Sequence, residues 1–202
     1  ADQLVKEIET RALDITVGDG TVPGTGMGPL ITGAHRDRVA GYIDAGAEAG
    51  ATVVLDGRRT DVPESGFFLG PSLIDKVTEE MSVYRDEIFG PVLSVVRVDT
   101  FDEAIDLVNR NEFANGVALF SRDGGAARKF EREIEVGMVG VNVPIPVPLA
   151  YYTFGGWKKS GFGDLNQHGP DSIRFYTKTK TVTSRWPSGV KEGAEFVIPT
   201  MK

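Results

Sequence analysis

Apolar residues recur along this chain at two spacings, and the switching between them predicts the order of its elements. Leu4, Val5, Ile8, Ala12 and Leu13 fall at helical spacing between about Asp2 and Asp14. Val39, Ile43 and Ala47 repeat that spacing between about Gly33 and Ala49, with Gly50 placed to end the helix. Val53-Val54-Leu55, ahead of the turn signal Asp56-Gly57, predicts a short strand, and Phe67 to Ile74 predicts another, interrupted at Gly70-Pro71. Met81 to Arg85 reads as a short helical or turn segment. A Gly-Pro step cannot continue a helix, so Gly90-Pro91 delivers the chain as a fixed loop into the β-branched run that ends at Val98, a buried strand.

The alternation then continues. Thr100, with Glu103 three residues on, caps a helix whose stripe is Phe101, Ile105 and Val108. Asn115-Gly116 turns into the strand Val117 to Ser121, Asp123 opens a helix carrying Ala127, Phe130 and Ile134, and Gly137 to Asn142 returns as a strand. Strands and helices in alternation predict an α/β fold, a mostly parallel sheet covered by helices with right-handed connections. From Phe175 the period becomes two, with Tyr176, Lys178, Lys180, Val182 and Ser184 opposing Thr177, Thr179, Thr181 and Thr183. That predicts a strand solvated on at least one face over 175–187, followed by a polar, loosely held tail, 188–202.

Composition narrows the function classes. At 202 residues, 41% hydrophobic and 25% charged, the chain is long enough for one domain or slightly more, with a proper core. A net charge of -7 argues against nucleic-acid and anionic-membrane partners, and no apolar run reaches membrane length. Cytoplasm, or an organelle matrix, is the expected setting. There is no cysteine, and His35 and His168 are the two histidines, so neither a disulfide framework nor a zinc cluster is expected and no metal site is assigned.

Candidate chemistry concentrates in Asp86-Glu87-Ile88-Phe89-Gly90-Pro91-Val92. Glu87 can accept hydrogen bonds from two hydroxyls and Phe89 can offer a face for stacking, a pair suited to a ribose and a flat heterocycle, although composition alone favours an ordinary loop with Phe89 in the core and Glu87 solvated. Gly24, Gly26 and Gly28 form G-x-G-x-G, with Pro29 where a dinucleotide fingerprint needs its third glycine, so that loop reads as structural. Gly155 to Gly161 is basic and Gly-rich without P-loop spacing, and Lys158 occupies the first glycine position of a G-x-S-x-G around Ser160, which leaves serine hydrolase chemistry unsupported.

Taken together, E-I-F-G-P-V, G-P-L-I-T (28–32), F-L-G-P-S-L-I (68–74), N-E-F-A-N-G-V-A-L-F-S-R-D (111–123), G-M-V-G-V-N (137–142), F-G-G-W-K-K-S-G-F-G-D (154–164) and F-Y-T-K-T-K-T-V-T (175–183) resemble, in order, segments of the aldehyde dehydrogenase family. The run V-N-V-P-I-P-V-P-L (141–149) resembles its coenzyme A-dependent methylmalonate-semialdehyde branch. The resemblance implies NAD as cofactor, with Glu87 holding the nicotinamide ribose and Phe89 beside the ring, and coenzyme A as co-substrate. Phe154 matches the aromatic that walls the tunnel for a small aldehyde substrate, although Thr153 replaces the proline expected before it. His35 and Arg38 stand where the family commonly has Gln and Lys near the ribose, and they read as a solvated helix face.

The family's nucleophile is a Cys thiolate, which this chain lacks, so no catalytic residue is assigned. The resemblance therefore implies that 1–174 is a C-terminal portion of a catalytic domain, starting just after that Cys, and that 175–187 is a strand joining a homo-oligomer, a dimer or tetramer. The isolated chain is expected to be inactive. A non-catalytic α/β assembly module derived from the same family is the alternative.

Overall fold

A computed structural model describes residues 1–184 and residue 186, and the chain divides into two compact units, Ala1–Glu103 and the part from Ala104 onward.

In the first unit, helix α1 (Asp2–Leu13) buries Val5, half-buries Ile8 and Ala12, and leaves Leu4 and Leu13 exposed. Helix α2 (Gly33–Glu48) starts at Thr32, whose Oγ1 accepts from the His35 amide at 3.1 Å, a cap that satisfies an amide with no intrahelical partner. Its inner face is Val39, Ile43 and Gly46; Ala47, read from the sequence as part of that face, is exposed, because positions i, i+4 and i+7 from Val39 lie on one side. Gly46 lets Ile74 and Val83 approach to the point where a Cβ would sit 3.3 Å from each.

Strand β1 (Thr52–Leu55) runs antiparallel to β2 (Ser72–Asp75), which is parallel to β3 (Val92–Ser94), so β2 is central and all four of its residues are buried. Helix α3 (Ser82–Arg85) lies between β2 and β3 in sequence. Val39, Leu69, Ile74, Val77, Met81, Val83 and Ile88 make the core. Withdrawing a side chain of this size from water is worth about 1.5–3 kcal/mol, and Val39 and Ile74 in this cluster, with Ile43 and Leu73 outside it, are fully buried.

One charge sits in that core. Asp75 accepts from Arg97 Nε at 3.0 Å and Nη2 at 2.6 Å, while Arg97 Nη1 donates to Asp2 at 2.7 Å, tying α1 to the sheet. The guanidinium holds the Asp75 carboxyl below the ordinary carboxylate range.

The boundary between the units falls inside helix α4 (Phe101–Arg110). Thr100 Oγ1 accepts from the Glu103 amide at 3.2 Å, the cap anticipated from the sequence, and Glu103 Oε2 reaches back to accept from the Asp99 amide at 2.9 Å, one residue ahead of the capping residue's own amide. In the second unit β4 (Phe113–Ala114) precedes β5 (Gly116–Leu119). Helix α5 (Gly124–Glu133) then crosses to β6 (Met138–Val141), which pairs parallel with β5. Asp123 caps α5, accepting from the Gly125 and Ala126 amides, and those bonds lower its pKa. Strand β7 (Trp157–Lys158) returns antiparallel to β4, and α6 (Asp171–Tyr176) follows.

The fold is α/β as expected, but the described ladders form three small sheets, two parallel and two antiparallel pairings, in place of one mostly parallel sheet. β3 stops at Ser94 rather than Val98. Its pairing extends only through Val95, whose amide donates to Ile74 and whose carbonyl accepts from Val77, before Arg97 turns to Asp75. The strand expected from Phe175 is not what Phe175 and Tyr176 form: they close α6, and 177–184 are exposed and in no ladder among the described residues. Arg185 and 187–202, with the expected tail, lie outside the described residues. Among the described residues no helix is long and apolar enough to cross a membrane.

Candidate functional site

The loop 86–90 is built on α2. His35, Val39 and Tyr42 lie at i, i+4 and i+7, one face of the helix, and each holds a different point of the loop. The Tyr42 hydroxyl donates to Asp86 Oδ2 at 2.8 Å, a bond that raises the phenol pKa. Gly90 lies flat on Val39, where a Cβ would come within 2.5 Å of Cγ1. His35 Nε2 is 2.7 Å from the Phe89 carbonyl, and Arg38 Nη2 is 3.1 Å from His35 Nδ1. Between these ties Ile88 enters the core, 8% exposed.

Glu87 and Phe89, on either side of Ile88, are both left outside. The Phe89 ring is 71% exposed, and its backbone sits at φ 54°, a left-handed conformation that costs a bulky residue about 1–3 kcal/mol unless the surroundings impose it. Glu87 is exposed and has no hydrogen-bond or ion-pair partner among the described residues. A carboxylate that only accepts, beside an open aromatic face, fits a pair of hydroxyls and a flat ring, the chemistry of a nicotinamide riboside. The reading of this loop as plain core packing is met by Ile88, not by Phe89.

Phe154 belongs to the second unit and is engaged there. It is half-buried, stacks on His168 with ring centroids 3.9 Å apart, and borders a cavity of about 430 Å³ with Asn115, Ser160, Leu165 and Phe175. Gly155 admits Asn166 so closely that a Cβ would fall 1.6 Å from its Oδ1. The lysines of this Gly-rich stretch are anchors. Lys158 Nζ donates to the Asn109 carbonyl at 2.5 Å, in the last turn of α4, where cations are favoured, and Lys159 pairs with Glu112. Ser160 Oγ accepts from the Ala114 amide at 3.0 Å. Tyr151 and Tyr152 are exposed.

The G-x-G-x-G loop closes on itself: the Gly18 amide donates to Met27 O, and the Gly26 and Met27 amides to Thr16 O. With those donors already engaged, the loop has none of them to offer a phosphate. An apolar groove of about 440 Å³, lined by Ile8, Ala12, Met27, Leu73 and Val92, opens between α1 and the sheet of the first unit. Among the described residues no cluster of three His, Asp or Glu side chains is placed to hold a metal.

Sequence reasoning missed His35. The half-buried imidazole faces the loop and is not part of a solvated helix surface, and its spacing from Val39 and Tyr42 is the signal that could have found it.

Comparison with known proteins agrees with the ordered motifs. The model of the aldehyde dehydrogenase family matches residues 1–182. A malonate-semialdehyde dehydrogenase from Pseudomonas aeruginosa is 53% identical over 204 aligned residues, covering 100% of this chain and 41% of its own length. Among solved structures, methylmalonate-semialdehyde dehydrogenase from Oceanimonas doudoroffii superposes with a TM-score of 0.88 at 54% identity, covering 93% of this chain and 39% of that one. A putative methylmalonate-semialdehyde dehydrogenase from Sinorhizobium meliloti, complexed with NAD, gives 0.88 at 51% identity, covering 94% and 39%. The chain thus spans about two fifths of the length of these relatives.

Proposed function

The chain belongs to the aldehyde dehydrogenase family, and from that premise we propose that it is the part of an NAD-dependent semialdehyde dehydrogenase that presents the nicotinamide end of the cofactor. The observation that carries the reading is the pinned loop 86–90, which leaves an unpartnered carboxylate and an open aromatic ring exposed on either side of Ile88. Glu87 accepts hydrogen bonds from the ribose hydroxyls, and Phe89 packs against the nicotinamide and limits its freedom. The nicotinamide, when bound, supplies the acceptor for the hydride that leaves the aldehyde carbon. Holding the ring at one distance and angle is worth several kcal/mol of barrier, which is why a strained but fully tied backbone suits this place. Phe154 borders the path of the aldehyde.

The substrate is malonate or methylmalonate semialdehyde, oxidised through a Cys thioester and released to coenzyme A. This finer reading is supported by the semialdehyde dehydrogenases it resembles at 51–54% identity. The nucleophilic Cys comes from further polypeptide, since these 202 residues contain none, and the open groove beside α1 suits a face that such polypeptide covers. The residues that follow α6, up to 187, join a homo-oligomer through main-chain pairing with a second subunit, a mode that tolerates polar side chains. Loss of the oligomer on truncation after Arg174, read by light scattering, would support that part.

The test is a chimera in which this chain replaces its matching 41% of the Pseudomonas aeruginosa relative. The chimera should reduce NAD with malonate semialdehyde and coenzyme A. The chain by itself should form no NADH and bind NAD no tighter than about millimolar, having one ribose contact and one ring face. A folded but inert chimera, or turnover by the isolated chain, would overturn the reading.

A further inference from the structure

We infer that His35 is a positioning residue for the cofactor site: locked by Arg38 in its Nε2–H form, it holds the Phe89 carbonyl and thereby sets how Phe89 and Glu87 are presented. The inference rests on the proposed role of those two residues. A carbonyl oxygen only accepts, so at 2.7 Å from the Phe89 carbonyl His35 Nε2 must carry the hydrogen. A guanidinium only donates, so at 3.1 Å from Arg38 Nη2 the imidazole Nδ1 must be bare.

These two requirements select one tautomer of the neutral ring. The Nδ1–H tautomer would turn an N–H toward a group that has nothing but N–H to offer and set a lone pair against the carbonyl oxygen. Arg38 thus directs His35, and His35 directs Phe89, across 54 residues of sequence.

The tie matters because of where it acts. Phe89 is held at φ 54° without being a glycine, and a small rotation there swings both the exposed ring and the carboxylate of Glu87. Val39 beneath Gly90 and Tyr42 on Asp86 hold the ends of the loop; His35 holds the strained residue itself.

Glutamine can place an amide donor where Nε2–H stands, whereas asparagine is too short. His35→Gln should therefore rescue what His35→Asn loses. In the 202-residue chain, nitrogen NMR of the imidazoles should show His35 as the Nε2–H tautomer. With two histidines present, one His168→Asn variant assigns the signals. Arg38→Met should release His35 to a tautomer mixture. In the active chimera His35→Asn should slow single-turnover NADH formation on the order of tenfold, the scale of a small misplacement of reacting groups, and raise KM for NAD but not for the aldehyde. His35→Gln should stay near the parent, with melting temperatures showing both variants folded.

An Nδ1–H tautomer in the parent chain overturns the inference whatever the enzyme does. So does an Nε2–H tautomer accompanied by unchanged turnover in His35→Asn, provided Glu87→Gln still slows the reaction, which would leave the cofactor reading standing. If Glu87→Gln also has no effect, the inference falls together with that reading.

Discussion

The loop 86–90 is fastened to α2 at three points, the Asp86 carboxylate, the Phe89 carbonyl and the Gly90 backbone, and Ile88 enters the core, so the side chains of Glu87 and Phe89 remain outside. In the stretch 154–169 the side chains themselves are taken up: Phe154 on His168, Asn166 in the space over Gly155, Lys158 on the end of α4, Ser160 on the Ala114 amide. Both stretches place an aromatic ring next to a glycine. In the first the ties leave the side chains of Glu87 and Phe89 exposed, whereas in the second internal contacts consume the polar groups. An aromatic-glycine motif therefore says little about function until the partners of its neighbours are known.

Removing the anchor of the first loop should give the largest effect. Ile88→Ala deletes a core side chain and is expected to cost about 2–5 kcal/mol, seen as a lower urea midpoint of the chain. A change of under about half a kcal/mol would mean that α2 alone holds the loop. Next is Glu87→Gln, which keeps size but loses charge-assisted acceptance. In the active chimera it should slow NADH formation about ten- to a hundredfold, equivalent to about 1.4–2.7 kcal/mol, with the urea midpoint unmoved. Together the two changes separate what builds the loop from what the loop presents.

How much of this was legible in the sequence depends on the range of the physics involved. The caps at Thr100 and Asp123, the fixed turn at Gly90-Pro91 and the helix face through Val39 and Ile43 follow from neighbours within a few residues, and they stand where sequence reasoning put them. Strand ends do not. β3 stops near Val95 because Arg97 is drawn to Asp75, 22 residues away, and the period-two pattern after Phe175 cannot reveal whether an edge is within reach. Glu87 and Phe89 stand out in the sequence through the wording of their motif. Their exposure, and the dependence of Phe89 on His35, arise from a contact across 54 residues that no local pattern encodes.

A smaller effect is expected where the second stretch is tightest. Gly155→Ala places a Cβ against Asn166, and accommodating it should cost about 1–2 kcal/mol, toward the lower end for overpacking because the loop bearing Asn166 is half-buried and can give way. Pairing it with Asn166→Ala should restore much of that stability. Independent, additive losses would show that Asn166 is not what Gly155 makes room for.

The smallest effect is a dependence on acid, and it contrasts Glu87 with a carboxylate that is fully partnered. Asp75 is buried and grips Arg97 through both oxygens, so its native pKa lies below the ordinary Asp value of 3.8. A carboxyl whose pKa is lowered by folding adds stability that is complete above its unfolded value, because the unfolded chain binds the proton more readily. That stability is lost as the pH falls from 3.8 toward the lower native value. Urea midpoints measured downward from pH 6 should therefore hold steady and then decline below about pH 4. In Asp75→Asn the chain should start less stable at neutral pH, since Arg97 keeps its charge and loses its main partner, and that part of the acid decline should flatten. If the Asp75→Asn variant's midpoint falls with pH as steeply as the parent's, the acid sensitivity resides in other carboxylates.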